Sequence, residues 1–466
     1  MSIPPLWRKT RSLFIGFLLC CPFYTSAQTD SLRLSLQQPM PDNDTWWQWF
    51  GDPMLDTLMH QAIANNYDLS NAMKNIELAK SRLRISKSAY YPSITASTSY
   101  SPEKSSLGID HVDEYTRVGQ AALAMNWEID VFGSIRKNVK SQKQYYLASQ
   151  EDYRGAMVSL AAEMANAYVQ LRTYQRQLDV ARNNLQSQEE ILRINEVKLQ
   201  TGLTSQLTVA QSKGLWLQTK ATIPGIEAAI YSQANTIALL TGEYSDSLRE
   251  QLLKPRPLPT DTAFLVVGIP ADLIRRRPDI RAAEKTMDAL AASVGATRAD
   301  WWPKFYVTGS FGYGSDYYKK LFKKENNAWQ ISPSVQWTIF SGRKAVETTR
   351  SAQLQLEQGI NNYNNTMLTA LQEVDDAMVS YNRSLQQLEA NRQALEQIRL
   401  TLDFAVDLYK KGLVDYQNVL DSQRNVLSYE NTLVSAQSST LLYMIQLYKA
   451  LGGGWNTNEN IGKNKK

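Results

Sequence analysis

Few residues of this chain have the type and spacing that covalent chemistry needs. There are two histidines, His60 and His111, and two cysteines, Cys20 and Cys21. Four Cys or His ligands cannot be gathered, so a zinc centre is not expected, and a triad would depend on one isolated histidine. Adjacent cysteines cannot form a disulfide framework. Gly312-Tyr313-Gly314 opens like a phosphate loop, but the third glycine is missing and no helix follows. Asp375 and Asp376 are neighbours on a helical pattern and point to different faces, so they read as a solvated stripe. No Walker motif, nucleophile elbow or HExxH pattern occurs. The expected answer is a protein that catalyses nothing and needs no cofactor or metal.

The chain has 466 residues, 43% hydrophobic and 20% charged, enough for a sizeable core. The net charge of +5 from 50 basic and 45 acidic residues is too mild to argue for nucleic acid as a partner. Arg8, Lys9 and Arg11 precede the apolar run Leu13 to Leu19, and Thr25-Ser26-Ala27 follows. Residues 1–27 thus read as a secretory signal peptide cut before Gln28. Lipidation at Cys21 is the weaker alternative, because Leu18-Leu19-Cys20 supplies no small residue before it. Beyond residue 28 no stretch approaches the roughly 20 apolar residues of a membrane-spanning helix.

An internal repeat organises the rest. Asn66-Tyr67-Asp68-Leu69 through Tyr90-Tyr91-Pro92 aligns with Arg277-Pro278-Asp279-Ile280 through Trp301-Trp302-Pro303 at an offset of 211. Further on, Trp127 falls near Trp337, Gly202 on Gly412 and Leu240-Thr241-Gly242 on Leu451-Gly452-Gly453. Two copies of one unit are expected, at 28–253 and 268–453, joined by a Pro-rich linker at 254–267 and followed by a tail at 454–466.

Each unit reads as helix, strand, loop, strand, long helix, turn, helix. Strands are expected at about 93–100, 120–131, 303–313 and 329–340, with polar loops at 101–119 and 314–328. Phe305, Val307, Phe311 and Tyr313 oppose Lys304, Tyr306, Thr308 and Ser310; the other three strands alternate similarly. Such a strand also suits one face of a soluble sandwich. The aromatic apolar face and the length, about 8–12 residues, suit a tilted bilayer strand. Four strands cannot close a barrel, and open edges are not tolerated in lipid. Three chains sharing one barrel would supply about twelve strands.

The helical hairpins are expected at about 134–241 and 343–451. Leu371, Val374, Met378, Tyr381, Leu385 and Leu388, then Leu395, Leu402 and Tyr409, step by four and three, a heptad seam that Arg392 interrupts. Met157, Leu160, Met164, Tyr168 and Leu171 begin the matching run. A 142–200 helix would be roughly 90 Å long. Pro224 inside the helical pattern predicts a break or kink. Arg275 to Arg277 suit a packing and salt-bridge role, since no basic stripe continues from them.

These features resemble the TolC-type outer-membrane efflux proteins, in particular the NodT branch. The residues that carry the likeness are Gly268-Ile269-Pro270-Ala271-Asp272-Leu273, Arg276-Arg277-Pro278-Asp279-Ile280-Arg281, Trp46-Trp47 with Phe50, Ile223-Pro224, and Tyr409-Lys410-Lys411-Gly412 with Val419-Leu420-Asp421-Ser422-Gln423. The resemblance covers essentially the whole mature chain. It implies a homotrimer whose twelve-stranded barrel sits in the outer membrane of a Gram-negative bacterium and whose helices form a coiled-coil tunnel through the periplasm. It implies a periplasmic adaptor and an inner-membrane resistance-nodulation-division transporter as partners, and passive exit of drugs or other small molecules. An outer-membrane duct for type I protein secretion shares the architecture, and a barrel-anchored coiled-coil adhesin is a further alternative.

The same resemblance names the tip. Its turns would hold Gly202, Leu203 and Thr204, and Gly412, Leu413, Val414 and Tyr416, facing the adaptor. Tyr409 matches a tyrosine that ties the closed tip, and Asp421 matches one acidic residue of the aperture. Asn418 stands where a second acid is usual, Val414 replaces an arginine, and Thr208 replaces an aspartate. The family's salt-bridge latch is therefore not preserved as such. Asp415 and Asp421, tripled by symmetry, would still make an acidic constriction favouring cations; Asp415 also suits a plain helix cap.

Overall fold

The structure is a computed structural model that describes residues 45–106, 113–259, 275–315 and 320–453. The signal peptide, Cys20, Cys21, His111 and residues 260–274, which hold most of the linker and the Gly268 to Leu273 motif, lie outside the described residues.

The first half runs α1 (Pro53–Asn65), α2 (Tyr67–Ser88), β1 (Ser93–Ser106), β2 (Asp113–Ile129), α3 (Ser134–Gln200), α4 (Gln206–Leu240) and α5 (Asp246–Leu253). The second runs α6 (Pro278–Ala299), β3 (Lys304–Ser315), β4 (Asn327–Gln336), α7 (Lys344–Lys410) and α8 (Tyr416–Ala450). A 3-10 helix, Trp46–Phe50, precedes α1. α2 and α6 have 22 residues each, α3 and α7 have 67, and α4 and α8 have 35. The correspondence reaches single bonds. Trp127 Nε1 donates to Tyr90 O at 3.0 Å, and Trp337 Nε1 donates to Trp301 O at 3.2 Å.

Local chemistry explains these boundaries. Asp52 caps α1 by accepting from Met54 N, with Pro53 in the first turn. Asn66 caps α2 by accepting from Leu69 N. Pro278 starts α6 and leaves Arg277 extended, with φ −57° and ψ 130°. Pro224 does not break α4, which continues through it from Gln206 to Leu240. Of the expected break or kink, the break is absent, because a missing backbone donor is tolerated where the rest of the ladder persists on both sides.

The four strands form one antiparallel sheet in the order β1-β2-β3-β4. Pairing puts Ala96, Leu123, Phe311 and Trp329 in one row, and Ile94, Met125, Gly309 and Ile331 in another on the same face. The opposite face carries Ser93, Asn126, Thr308 and Ser332, then Thr95, Ala124, Ser310 and Gln330. One face is apolar and the other polar, as the alternation predicts. Two boundaries differ from expectation. β1 and β2 extend to Ser106 and back to Asp113, so most of the 101–119 loop is paired strand. Its polar sequence hid this, since backbone pairing alone leaves no hydrophobic alternation to read. β4 starts at Asn327 and ends at Gln336, before Trp337 turns to the carbonyl of Trp301.

The core sits where α3 meets α1, α2, α6 and α8. Leu160, Met164, Tyr168, Leu171 and their neighbours are buried almost all round the helix. Trp46 stacks on Tyr448 with centroids 5.1 Å apart. Asp52 also accepts from the Tyr168 hydroxyl, and burial, with that hydrogen bond, pushes Tyr168 up to about 12. Arg277 is buried, donates to Ala450 O at 2.8 Å and to Asp279 and Glu373. This is the packing and ion-pair role expected of it. Along α7 the expected seam holds at Val374, Tyr381, Leu395 and Tyr409, and smaller residues fill it out. Ala370, Val374, Ala377, Tyr381 and Ser384 are buried, whereas Leu371 and Leu368 stay exposed.

Candidate functional site

The long helices of each half close in a tight turn, 201–205 between α3 and α4 and 411–415 between α7 and α8. Both helices end the same way. Gly202 has φ +73° and Gly412 φ +75°, a left-handed conformation that favours glycine. Leu203 N donates to Lys198 O at 2.8 Å and Leu413 N to Leu408 O at 2.9 Å, satisfying carbonyls that the helix ends leave free. Leu203 and Leu413 project into solvent, and Thr204 and Val414 are half-buried behind them.

Between the turns lies a small apolar cluster of Ile191, Leu215, Ala405, Tyr409, Tyr416, Val419 and Leu420, with Val414 packed against it. All four long helices contribute. Tyr409 is the hub: its hydroxyl donates to Asn195 Oδ1 at 2.7 Å. Lys198 Nζ donates to the Tyr409 carbonyl at 3.0 Å and lies 3.8 Å from the ring centroid, a cation–π contact. The Tyr416 ring is 5.7 Å from that of Tyr409, tilted by 59°. Burial pushes both phenols up, Tyr416 to about 12, and a hydroxyl contact with Thr204 pulls Tyr409 the other way.

The structure corrects one expectation here. Tyr416 does not present itself at the tip surface; it is 5% exposed and faces inward. A ring at the first position of α8 gains more by covering Val419 and Leu420 than by standing in water. Thr208 serves its own helix end, where its backbone N–H donates to the Ser205 hydroxyl that caps α4, at 3.4 Å.

The polar candidates gather on the other side of α8. Asn418 and Asp421 are three residues apart, share a helix face and are both exposed. Gln417 Nε2 donates to both carboxylate oxygens of Asp421 at 3.1 Å, and Arg424 is 3.9 Å away. Such an exposed pair contributes little stability. Asp415 holds the cap position of α8, yet its side chain makes no capping bond. Asp415, Asn418 and Asp421 therefore form one open polar strip with two carboxylates, while Tyr409 and Tyr416 lie behind it. Asn195 and Lys198, which hold Tyr409, are residues that the sequence does not single out. A signal is present in the seam positions Asn184, Gln188 and Asn195, where polar residues interrupt an apolar stripe.

Among the described residues no helix is long and apolar enough to cross a membrane, and no group of acidic, His or Cys side chains could hold a metal. His60 lies on the exposed side of α1. Gly312 lies within β3, where a Cβ would meet the Ala121 carbonyl at 2.5 Å.

Residues 58–243 and 269–453 match the profile of the outer membrane efflux protein family. The solvent efflux pump outer membrane protein SrpC of Pseudomonas putida is 31% identical over 419 residues, 89% of this chain and 88% of that protein. The cation efflux system protein CusC of Escherichia coli is 27% identical over 413 residues, 89% of each. Among solved structures the outer-membrane channel OprN superposes with a TM-score of 0.85 at 28% identity, covering 93% of this chain and 99% of that one.

Proposed function

We propose that this chain, which belongs to the outer membrane efflux protein family, lends its four strands to a barrel completed by two further copies of itself. It is an outer-membrane channel component of a Gram-negative efflux system, as its relatives are, and those relatives are channels rather than enzymes. The observation that carries the trimer is the uncovered sheet. On its apolar face Trp329 is 72% exposed, Ile94 67% and Ile331 65%, and no other described residue covers them. β1 and β4 are each bonded on one side only. A soluble sandwich would bury that face, and a lone sheet in lipid would leave two open edges. Three copies close the edges with about twelve strands, apolar outward and polar toward the lumen.

The two repeats then span 28–253 and 268–453, a division that the two separate family matches support. α3 and α7, each about 100 Å long, continue the barrel as a periplasmic tunnel. Leu203 and Leu413 are the exposed apolar points of the turns and would meet a periplasmic adaptor, which joins the duct to an inner-membrane resistance-nodulation-division pump. The open strip Asp415, Asn418 and Asp421 lines the aperture and favours cations, while Tyr409, held by Asn195 and Lys198, sets the closed position of α7 and α8. The chain itself catalyses no reaction and carries no cofactor; drugs or other small molecules pass through it.

The test is made in cells. A strain lacking the chain should accumulate a toxic cationic dye such as ethidium severalfold above the parent, and the full chain should restore export. Unchanged dye accumulation together with loss of a secreted protein would contradict small-molecule efflux and favour a protein-secretion duct.

A further inference from the structure

The connection between β3 and β4 carries a feature that channel function does not require. β3 enters from α6 and β4 leaves toward α7, so this connection stands at the end of the sheet away from the helices. With the helices in the periplasm, that end meets the outer leaflet; the inference rests on the membrane-spanning reading above.

The described part of the connection, 320–326, is built rather than loose. Leu321 is buried beneath it. Asn326 N donates to Lys323 O at 2.9 Å and Asn326 Nδ2 to Lys320 O at 2.7 Å, closing the turn. Phe322 is 73% exposed although it packs edge-on to Tyr313, with centroids 5.7 Å apart at 64°. Tyr313 in turn packs edge-on to Phe311 at 5.9 Å. Phe311 and Tyr313 belong to the apolar face, so Phe322 prolongs the lipid-facing stripe past the last strand row. Beside it stand Lys323 and Lys324, with Glu325 the one acid among the described residues 320–326.

We propose that Phe322 with Lys323 and Lys324 is a docking element for the phosphorylated glycolipid headgroups of the outer leaflet, the bis-phosphorylated lipid A class. The chemistry matches group for group. An aromatic ring at the end of an apolar stripe covers acyl chains near the interface. Lysine stems lie along that apolar surface while their ammonium groups reach phosphates above it. A zwitterionic phospholipid offers each site one phosphate, already balanced by its own amine, and so recruits this cluster far less.

The test uses the full-length channel in detergent, with native mass spectrometry of bound lipid. The probes are lipid A bearing two phosphates, the same lipid dephosphorylated, and phosphatidylethanolamine. The variants are K323Q/K324Q, F322S and, as a control at the helical end of the sheet, R343Q. Wild type and R343Q should bind the bis-phosphorylated lipid at least tenfold more tightly than phosphatidylethanolamine. K323Q/K324Q should lose at least fivefold for the bis-phosphorylated form only, and added salt should weaken wild type more than this variant. F322S should weaken the phosphorylated and dephosphorylated forms alike. Equal binding of wild type and K323Q/K324Q would overturn the proposal. So would a K323Q/K324Q particle that falls apart without change in lipid preference, since the lysines would then serve pairing with acidic residues of a second copy. Insertion of wild type into phosphatidylethanolamine vesicles is measured first. Failure there sinks the membrane-spanning reading, whereas insertion without lipid A preference sinks only this assignment.

Discussion

The turn at Gly202 and the turn at Gly412 share a backbone and differ in nearly every side chain that matters. Both end a 67-residue helix on a left-handed glycine and begin a 35-residue helix. In the first, Ser205 caps α4 through its hydroxyl. In the second, Asp415 occupies the same position and leaves its carboxylate free. The first turn has Leu199 and Gln206 where the second has the packed pair Tyr409 and Tyr416. The repeat supplies one scaffold twice, with a capped helix start at Ser205 in one copy and an uncapped carboxylate at Asp415 in the other. Because the backbones agree, differences in behaviour trace to named side chains.

Substitutions where the two turns differ should have unequal effects. Tyr409→Ala should have the largest effect. It removes a buried ring and orphans Asn195 Oδ1, costing about 3 kcal/mol locally, against about 1 kcal/mol for Leu199→Ala. Amide exchange over 405–420 should accelerate far more than over 195–210 in its counterpart, and equal acceleration would dissolve the asymmetry.

Alkaline pH gives the next test. Burial raises the Tyr416 phenol to about 12 from an ordinary 10.0. The folded state thus holds this proton more tightly than the unfolded state. Its stabilisation is complete below pH 10 and fades as pH rises toward 12. Thermal melts of Tyr416→Phe should fall less steeply across that window than wild type; parallel slopes would contradict the buried placement.

Gly202→Ala and Gly412→Ala should each cost about 1 kcal/mol and agree with each other within a few tenths. A marked inequality in chemical denaturation would mean that the turns are not equivalent scaffolds. Ser205→Ala should cost about 1 kcal/mol as a lost cap, while Asp415→Ala leaves stability nearly unchanged. The smallest stability effect belongs to Asp421→Asn, whose expected signature is a reduced preference for cations over anions in planar-bilayer conductance. An unaltered reversal potential would remove Asp421 from the aperture.

Much of this architecture is legible in the sequence because it rests on periodicity and punctuation. The alternation around Phe305 and Phe311 reports the two sheet faces, and Gly202, Gly412 and Pro278 mark helix ends that only certain residues permit. What escapes depends on contacts across the fold. The polar pairing of β1 with β2 beyond Tyr100 leaves no hydrophobic signal. Pro224 predicts a break or kink, and the helix does not break because its ladder on either side sustains it. Ala370, Ala377 and Ser384 fill the seam because the neighbouring helix comes close enough to want small residues, which leaves Leu368 and Leu371 for another surface. At the tip, Tyr409 can be picked out by its place before the glycine, but its partners Asn195 and Lys198 lie more than two hundred residues away.

The shared barrel is the claim on which the rest depends, and its most direct test is the mass of the intact particle extracted from the outer membrane, set against the mass of its denatured subunit. Three mature subunits per particle are predicted, since four strands per chain close only in that company. A monodisperse single-chain particle would contradict the account and return the sheet to an ordinary soluble face.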